Sequence, residues 1–259
     1  MFAKKTSTWT ILLIGIVAAP LFFTSPAHAI RPFLATETAI PIEPNKSLFE
    51  GGLLYEQYSS HNRRYTLSAD LRYGLITNLD FEVIVPYLFS DFSGGRESNV
   101  GDVRLRAKVR FLKGREANPL SIAGMIDVKF PSASRDKGFG TGEPDIGIFG
   151  IASKEFFPVT VHLNVGYTFV GDPPGEVLDN VFSYSFGAEL QTMLTGLDIV
   201  GELSGRTDSQ SSTSPERLDL LGGVVLGVSP EVSVDFSVFF GLIKDSPDFG
   251  LNGGFAYRF

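Results

Sequence analysis

Hydrophobic and polar residues alternate along most of the chain beyond residue 47. The clearest example runs from Gly101 to Phe111, where apolar side chains take every second position and bases fill most positions between them. Successive side chains of an extended strand point to opposite faces, so this pattern predicts strands between an apolar and an aqueous medium. We predict twelve of them. Their ranges are 48–59, 64–75, 101–111, 120–130, 145–153, 181–194, 197–206, 216–228 and 248–259, with three more beginning at Leu79, Val159 and Val232.

Connections between these strands have a regular rhythm. Longer polar segments, such as 91–100, 131–144 and 171–180, mostly follow odd-numbered strands, whereas tight turns mostly follow even-numbered ones. Aromatic residues also concentrate near both ends of the strands. Long loops outside the cell, short periplasmic turns and two aromatic girdles are typical of outer-membrane barrels, which have an even number of strands. The strand at 145–153 is the least regular, because its isoleucines fall on both faces.

Alternation alone does not say which face is inside, because a soluble β-sandwich gives the same pattern with its apolar face in the core. In a membrane barrel, however, each base of the 101–111 strand would cost about 2–4 kcal/mol if it faced lipid near the midplane. We therefore predict an all-β, transmembrane antiparallel β-barrel whose charged face lines the lumen. The residues expected to line the pore are Asp70, Arg72, Glu82, Asp102, Arg104, Arg106, Lys108, Arg110, Asp127, Lys129, His162, Asn164, Glu189, Gln191, Glu202 and Arg206.

The N-terminus predicts export. Two lysines, an apolar run and an Ala-His-Ala site make residues 1–29 a signal peptide. Residues 30–46 contain three prolines and no period, which indicates an irregular periplasmic lead-in able to fold into the barrel mouth, followed by the barrel over 47–259. Beyond residue 29 no apolar run is long enough for a spanning helix. These features place the mature protein in the outer membrane of a Gram-negative bacterium.

Composition excludes several functions. The net charge is −7, and it becomes −9 when Lys4 and Lys5 leave with the signal peptide, which argues against a nucleic-acid partner. Cysteine is absent, so no disulfide or thiol nucleophile is available. We predict no cofactor and no bound metal, and we expect membrane lipid and a small solute as partners.

Two constellations suggest chemistry. The bases at positions 104, 106, 108 and 110 form either an anion-attracting ladder or a structural set paired with acids such as Asp80, Glu82 and Asp127, and the second interpretation is favoured. His162 and Asn164 suggest a lipase-like site, but their positions point into the lumen and away from lipid. We therefore do not expect an enzyme.

Several short motifs resemble the family described as putative MetA-pathway of phenol degradation. They are Tyr73-Gly74-Leu75, Asp80-Phe81-Glu82-Val83, Pro86-Tyr87, Gly101-Asp102-Val103-Arg104 and Asp127-Val128-Lys129-Phe130-Pro131. The resemblance spans about 48–259 and implies an exported barrel of the kind called transporters, without a catalytic motif. Phe255, Tyr257 and Phe259 resemble the C-terminal signal that the barrel-assembly machinery recognises.

These observations lead to one expected function and one alternative. The first is an outer-membrane channel for passive passage of small molecules, aromatic or hydrophobic compounds among them. The alternative is a structural or adhesive barrel with a plugged lumen that acts through its outer loops.

Overall fold

The computed structural model describes residues 32–92, 95–116, 118–207, 209 and 215–259. The predicted signal peptide lies outside these residues. Within them the chain forms thirteen strands. They are β1 (Ser47–Ser59), β2 (Asn62–Ile76), β3 (Leu79–Phe92), β4 (Gly95–Val100), β5 (Val103–Leu112), β6 (Leu120–Phe130), β7 (Asp145–Phe156), β8 (Val159–Phe169), β9 (Val181–Gln191), β10 (Leu197–Thr207), β11 (Pro215–Gly227), β12 (Val232–Gly241) and β13 (Phe249–Arg258). No helix in the described part of the chain is long and apolar enough to span a membrane.

The strands form one closed antiparallel barrel. Successive strands pair with one another except β4 and β5, and β1 closes the ring by pairing with β13. The short β4 and the longer β5 both pair with β3, β4 with its end and β5 with its beginning, so together they occupy one of twelve positions. Closure leaves no edge in the wall, which a barrel in lipid requires. The prediction of a twelve-stranded barrel is confirmed.

The prediction of a loop at residues 91–100 is wrong. The polar segment 91–100 was expected to connect two strands, but β3 continues to Phe92 and residues 95–100 return as β4. The two strands form a hairpin that extends beyond the β5 wall. Charged side chains such as Arg96 stand on this hairpin in solvent, where strand pairing does not need an apolar face. Alternation of apolar residues therefore gave no signal for it.

Side chains divide by parity between the two faces. Apolar residues such as Leu105 and Ile126 are 39% and 52% exposed on the outside, whereas Asp127, next to Ile126, is 0% exposed on the inside. Aromatic residues pair across strands on the outer face, as Tyr65 does with Phe89 and Tyr167 with Phe182. We call the end where β1 begins and β13 ends the terminal end, and the end with the longer connections the loop end.

The irregular alternation of β7 is explained by where its isoleucines lie. Ile146 and Ile148 face outwards, 48% and 54% exposed, while Ile151 is 2% exposed inside the barrel. Ile151 packs there against Ala39 of the segment before β1, and Phe149 packs against the same cluster. Ile151 can be apolar on the lumen side because Ala39 covers it.

A charged substitution on the outer face tests which side chains face the membrane. We expect Ile126→Lys to lower the free energy of unfolding in lipid bilayers by about 2–4 kcal/mol, because Ile126 lies midway along β6 and faces the apolar medium. Thr66→Lys, which adds the same charge on the lumen side, is the control. Denaturant titration measures both variants, and an equal loss in the two would contradict the assignment of faces.

Candidate lumen site

The segment before β1, residues 32–46, lies across the lumen, and we refer to it as the lead-in. Its backbone bonds to side chains around the barrel wall. The amides of Leu34 and Ala35 both donate to the Glu202 carboxylate, at 2.7 and 2.9 Å, and the amide of Ile42 donates to Asp80 Oδ2 at 2.9 Å. An irregular segment enters the barrel at acceptable cost because side chains of the wall satisfy these groups.

The middle of the lead-in is fixed on β7 and β8. Glu37 and Asn164 exchange two hydrogen bonds: the Glu37 amide donates to Asn164 Oδ1 at 2.8 Å, and Asn164 Nδ2 donates to the Glu37 carbonyl at 3.0 Å. The Ala39 amide donates to Ser153 Oγ at 2.8 Å. These bonds set the register in which the Glu37 side chain meets the opposite wall.

Glu37 is the centre of a buried charge cluster. Its carboxylate lies 3.1 Å from Arg72 Nη2, 3.2 Å from Arg106 Nη1 and 3.4 Å from Lys108 Nζ. Arg72 and Lys108 are each 2% exposed, so these cations depend on acids for their compensation. The lead-in therefore supplies part of the negative charge that the basic wall needs.

The cluster determines the ionisation of Glu37. Burial by itself raises the pKa of this carboxyl, but Arg72, Lys108 and Arg106 outweigh burial and hold the pKa well below its ordinary value of 4.5. Glu37 thus stays ionised at neutral and mildly acidic pH.

Acids on neighbouring strands pair with three of the four bases of β5. Asp127 of β6 accepts from both Arg104 and Arg106, with its Oδ2 2.8 Å from Arg104 Nη2 and 2.8 Å from Arg106 Nε. Lys108 lies 3.8 Å from Asp80. Arg104, Arg106 and Lys108 are thus paired with acids, whereas Arg110 bonds to Thr77 and Asn78 in the β2–β3 turn. The four bases therefore do not form an isolated ladder of positive charge.

A cavity of about 610 Å³ lies between the lead-in and the loop end. Residues 33–37 of the lead-in form part of its boundary. Its wall includes Arg104 and Arg106 on one side and apolar Met125 and Phe149 beside them. The lumen is thus narrowed by the lead-in but holds space for a small molecule above it.

The residues predicted to line the pore fall into four groups. Those on the cavity wall are Asp70, Arg72, Glu82, Arg104, Arg106, Asp127, Asn164 and Arg206. Lys108, His162 and Glu202 contact the lead-in. Asp102 and Lys129 bond to the 131–144 connection, and Arg110 bonds to the turn at 77–78. Glu189 and Gln191 lie near the terminal end of β9. That these residues line a conducting path stays a prediction.

Ser153 and His162 form a buried pair, with Oγ and Nδ1 2.8 Å apart. Ser153 Oγ also accepts the Ala39 amide, and the His162 ring lies edge-on to Phe33 at 6.0 Å. Both side chains thus contact the lead-in. The pair therefore anchors the lead-in to the wall.

Sequence reasoning missed Glu37 and Phe149. Glu37 lies in a segment without periodicity, so no pattern assigned it a direction or a partner. Phe149 had a signal in the broken alternation of its strand. A lumen-facing aromatic residue in a polar barrel marks a place where an apolar group is covered or bound.

The closed wall, apolar outer face and charged lumen define the fold of an outer-membrane β-barrel. Within that class the chain belongs to the family described as "Putative MetA-pathway of phenol degradation", whose sequence model matches residues 33–259. No curated protein matches the chain.

Solved structures share this fold at low sequence identity. The COG4313 outer membrane channel from Pseudomonas putida F1 aligns with a TM-score of 0.69 and 14% identity over 88% of this chain and 100% of that one. The NanC porin aligns with a TM-score of 0.57 and 10% identity, covering 82% and 98%. The CymD monoaromatic hydrocarbon channel aligns with a TM-score of 0.51 and 10% identity, covering 83% and 88%.

Removing the Glu37 charge is expected to loosen the lead-in. The chain has no cysteine, so Ala39→Cys introduces a single thiol at a position that is 0% exposed. We expect Glu37→Gln to raise the maleimide labelling rate of that thiol about tenfold or more, because hydrogen bonds to charged groups are each worth about 1.5–3 kcal/mol. Glu43→Gln, an exposed lead-in acid, is the matched control. Equal labelling in both backgrounds would show that Glu37 does not hold the segment.

The same cluster predicts the pH response of the lead-in. The folded pKa of Glu37 lies below its unfolded value, so its contribution is fully present above about pH 4.5 and is lost as pH falls below that. A nitroxide attached at Thr38→Cys should keep the same electron paramagnetic resonance line shape from pH 7.5 to pH 5. A mobile component that grows between pH 7 and pH 5 would contradict this assignment.

Proposed function

We propose that this protein is a channel in the Gram-negative outer membrane through which small molecules cross passively. The observation that carries the proposal is a closed barrel whose polar lumen holds a cavity of about 610 Å³ beside the lead-in. A barrel of twelve strands is intermediate in width. Barrels of about eight strands are filled by side chains, and porins of about sixteen hold a wide aqueous channel. A narrow, selective passage fits that size.

Membership of the family and the likeness to solved channels support the same function. The family is named for phenol degradation, and one similar structure is a monoaromatic hydrocarbon channel. Apolar Phe149, Met125 and Leu54 on the cavity boundary suit solutes of this kind. We therefore propose that aromatic or hydrophobic small molecules are among those that pass.

The proposal also assigns orientation and partners. The loop end faces the cell exterior, and the lead-in meets solutes from the periplasmic side. Membrane lipid contacts the apolar outer face, and Phe255, Tyr257 and Phe259, all exposed there, form the signal for the barrel-assembly machinery. The Ser153–His162 pair is structural, so the protein is not an enzyme.

The contacts of the lead-in support a second candidate function, that of a plugged barrel that acts through its outer loops. Leu34, Ala35, Glu37, Ala39 and Ile42 all bond through their amides to the wall, and such contacts would hold a permanent plug in place. The two candidates differ in whether ions pass when the lead-in is loosened.

Single-channel recording in planar bilayers discriminates them. We expect discrete openings of low conductance from the native protein and larger or longer openings from Glu37→Gln, because that variant frees the lead-in. Glu43→Gln should behave as the native protein does. Silence from all three proteins, each verified as folded by circular dichroism, would exclude the channel and favour the plugged barrel.

A further inference from the structure

We infer that the lumen cavity is a binding site for a small organic anion with a planar, ring-sized apolar body, such as an aromatic carboxylate. The inference rests on the proposed channel function, for which it names a class of solute. It is carried by two features of the cavity wall: a pair of guanidinium groups held in place by Asp127, and an aromatic ring that lies beside them.

The charge that is accessible to a solute in the cavity differs from the total charge of the side chains around it. Several acids border the cavity, but the Asp127, Glu82 and Glu37 side chains are only 0%, 5% and 9% exposed. The side chains of Arg104 and Arg106 are 35% and 23% exposed. On the β5 wall the accessible charge is therefore positive, because the cations stand in front of their own counter-ions.

Both guanidinium groups retain capacity to donate. Arg104 bonds to Asp127 through Nε and Nη2, and Arg106 bonds to Asp127, Glu37 and Glu82 through Nε and Nη1. Arg104 Nη1 and Arg106 Nη2 have no hydrogen-bond partner among the residues that the structure describes. The two arginines are two positions apart on one strand face, and Asp127 fixes both orientations, which prepares them to receive a planar carboxylate.

The aromatic ring lies in the next row of side chains. Arg106 is paired with Asp127 across β5 and β6, and Asp127 is paired with Gly147 across β6 and β7. Phe149 is two residues beyond Gly147, so its backbone lies two strands across and two residues along from Arg106, on the order of 12 Å. The Phe149 ring leans back over Gly147, towards the row that holds Asp127 and Arg106.

Two glycines make room for the Phe149 ring. A Cβ built on Gly147 would lie 2.6 Å from Phe149 Cε2, and one built on Gly166 would overlap the ring as well. The ring therefore leans over two positions that lack side chains, along the wall of the cavity. A ring-bearing solute whose carboxylate reaches the arginines can stack on this surface or on its edge.

Methionine methyl NMR offers a direct readout. Only Met125 and Met193 follow the predicted signal peptide, and Met125 lines the cavity whereas Met193 is fully exposed near the terminal end. In protein purified from outer membranes into detergent, benzoate should shift the Met125 methyl signal by its ring current and leave the Met193 signal in place. Titration gives the dissociation constant.

Three comparison ligands test the contributions of the carboxylate and of the ring separately. Acetate lacks the ring, benzyl alcohol lacks the charge and benzylamine reverses it. We expect benzoate to bind at least about tenfold more tightly than each of them, because it alone engages both the guanidinium pair and the ring. Arg104→Gln should weaken benzoate binding about tenfold, and Phe149→Leu should weaken benzoate but not acetate. Arg96→Gln, which removes an exposed charge on the β3–β4 hairpin, should change nothing.

Failure of this inference is distinguishable from failure of the channel function. Benzoate binding at Met125 in a protein that never conducts would uphold the binding site and overturn the channel. Conductance without a benzoate shift, or equal affinity for benzoate and benzyl alcohol, would overturn the binding site alone. If Arg104→Gln does not fold, the ranking of the four ligands on the native protein decides the question.

Discussion

Compensation of buried positive charge is the constraint on which the interior depends. Closure of the barrel places Arg72 and Lys108 inside a wall that cannot release them to bulk water, and a buried cation without a partner is strongly destabilising. Acids on β3 and β6 supply part of the compensation. The rest comes from Glu37, which belongs to no strand, so the demand for charge balance also fixes a segment that has no regular structure.

Placement of the lead-in then shapes the lumen. Its backbone amides find acceptors on β3, β7, β8 and β10, and its apolar residue Ala39 covers Ile151, which a polar lumen would otherwise leave exposed. The cavity occupies the space that the lead-in leaves towards the loop end. Because Asp127 and Glu37 lie behind the arginines, that space presents cations on one wall beside an aromatic surface.

Sequence alone predicts the barrel but not its contents. Alternation at Val103–Phe111 and in eleven other segments specifies strands and faces, because a membrane imposes the same period-two rule on every strand. It predicted neither the β3–β4 hairpin, which stands in solvent, nor the path of Pro32–Lys46, which depends on contacts far apart in the chain. The isoleucines on both faces of β7 were a local sign that something apolar enters the lumen.

The position of the lead-in in the membrane-embedded protein is the most direct test. Ala39→Cys combined with Ser153→Cys places two thiols where the Ala39 amide lies 2.8 Å from Ser153 Oγ. Mild oxidation in native outer membranes should join them, while Ala39→Cys with Asn252→Cys, on the opposite wall, should stay reduced. Equal crosslinking of both pairs, or of neither, would show that the lead-in does not cross the lumen as described.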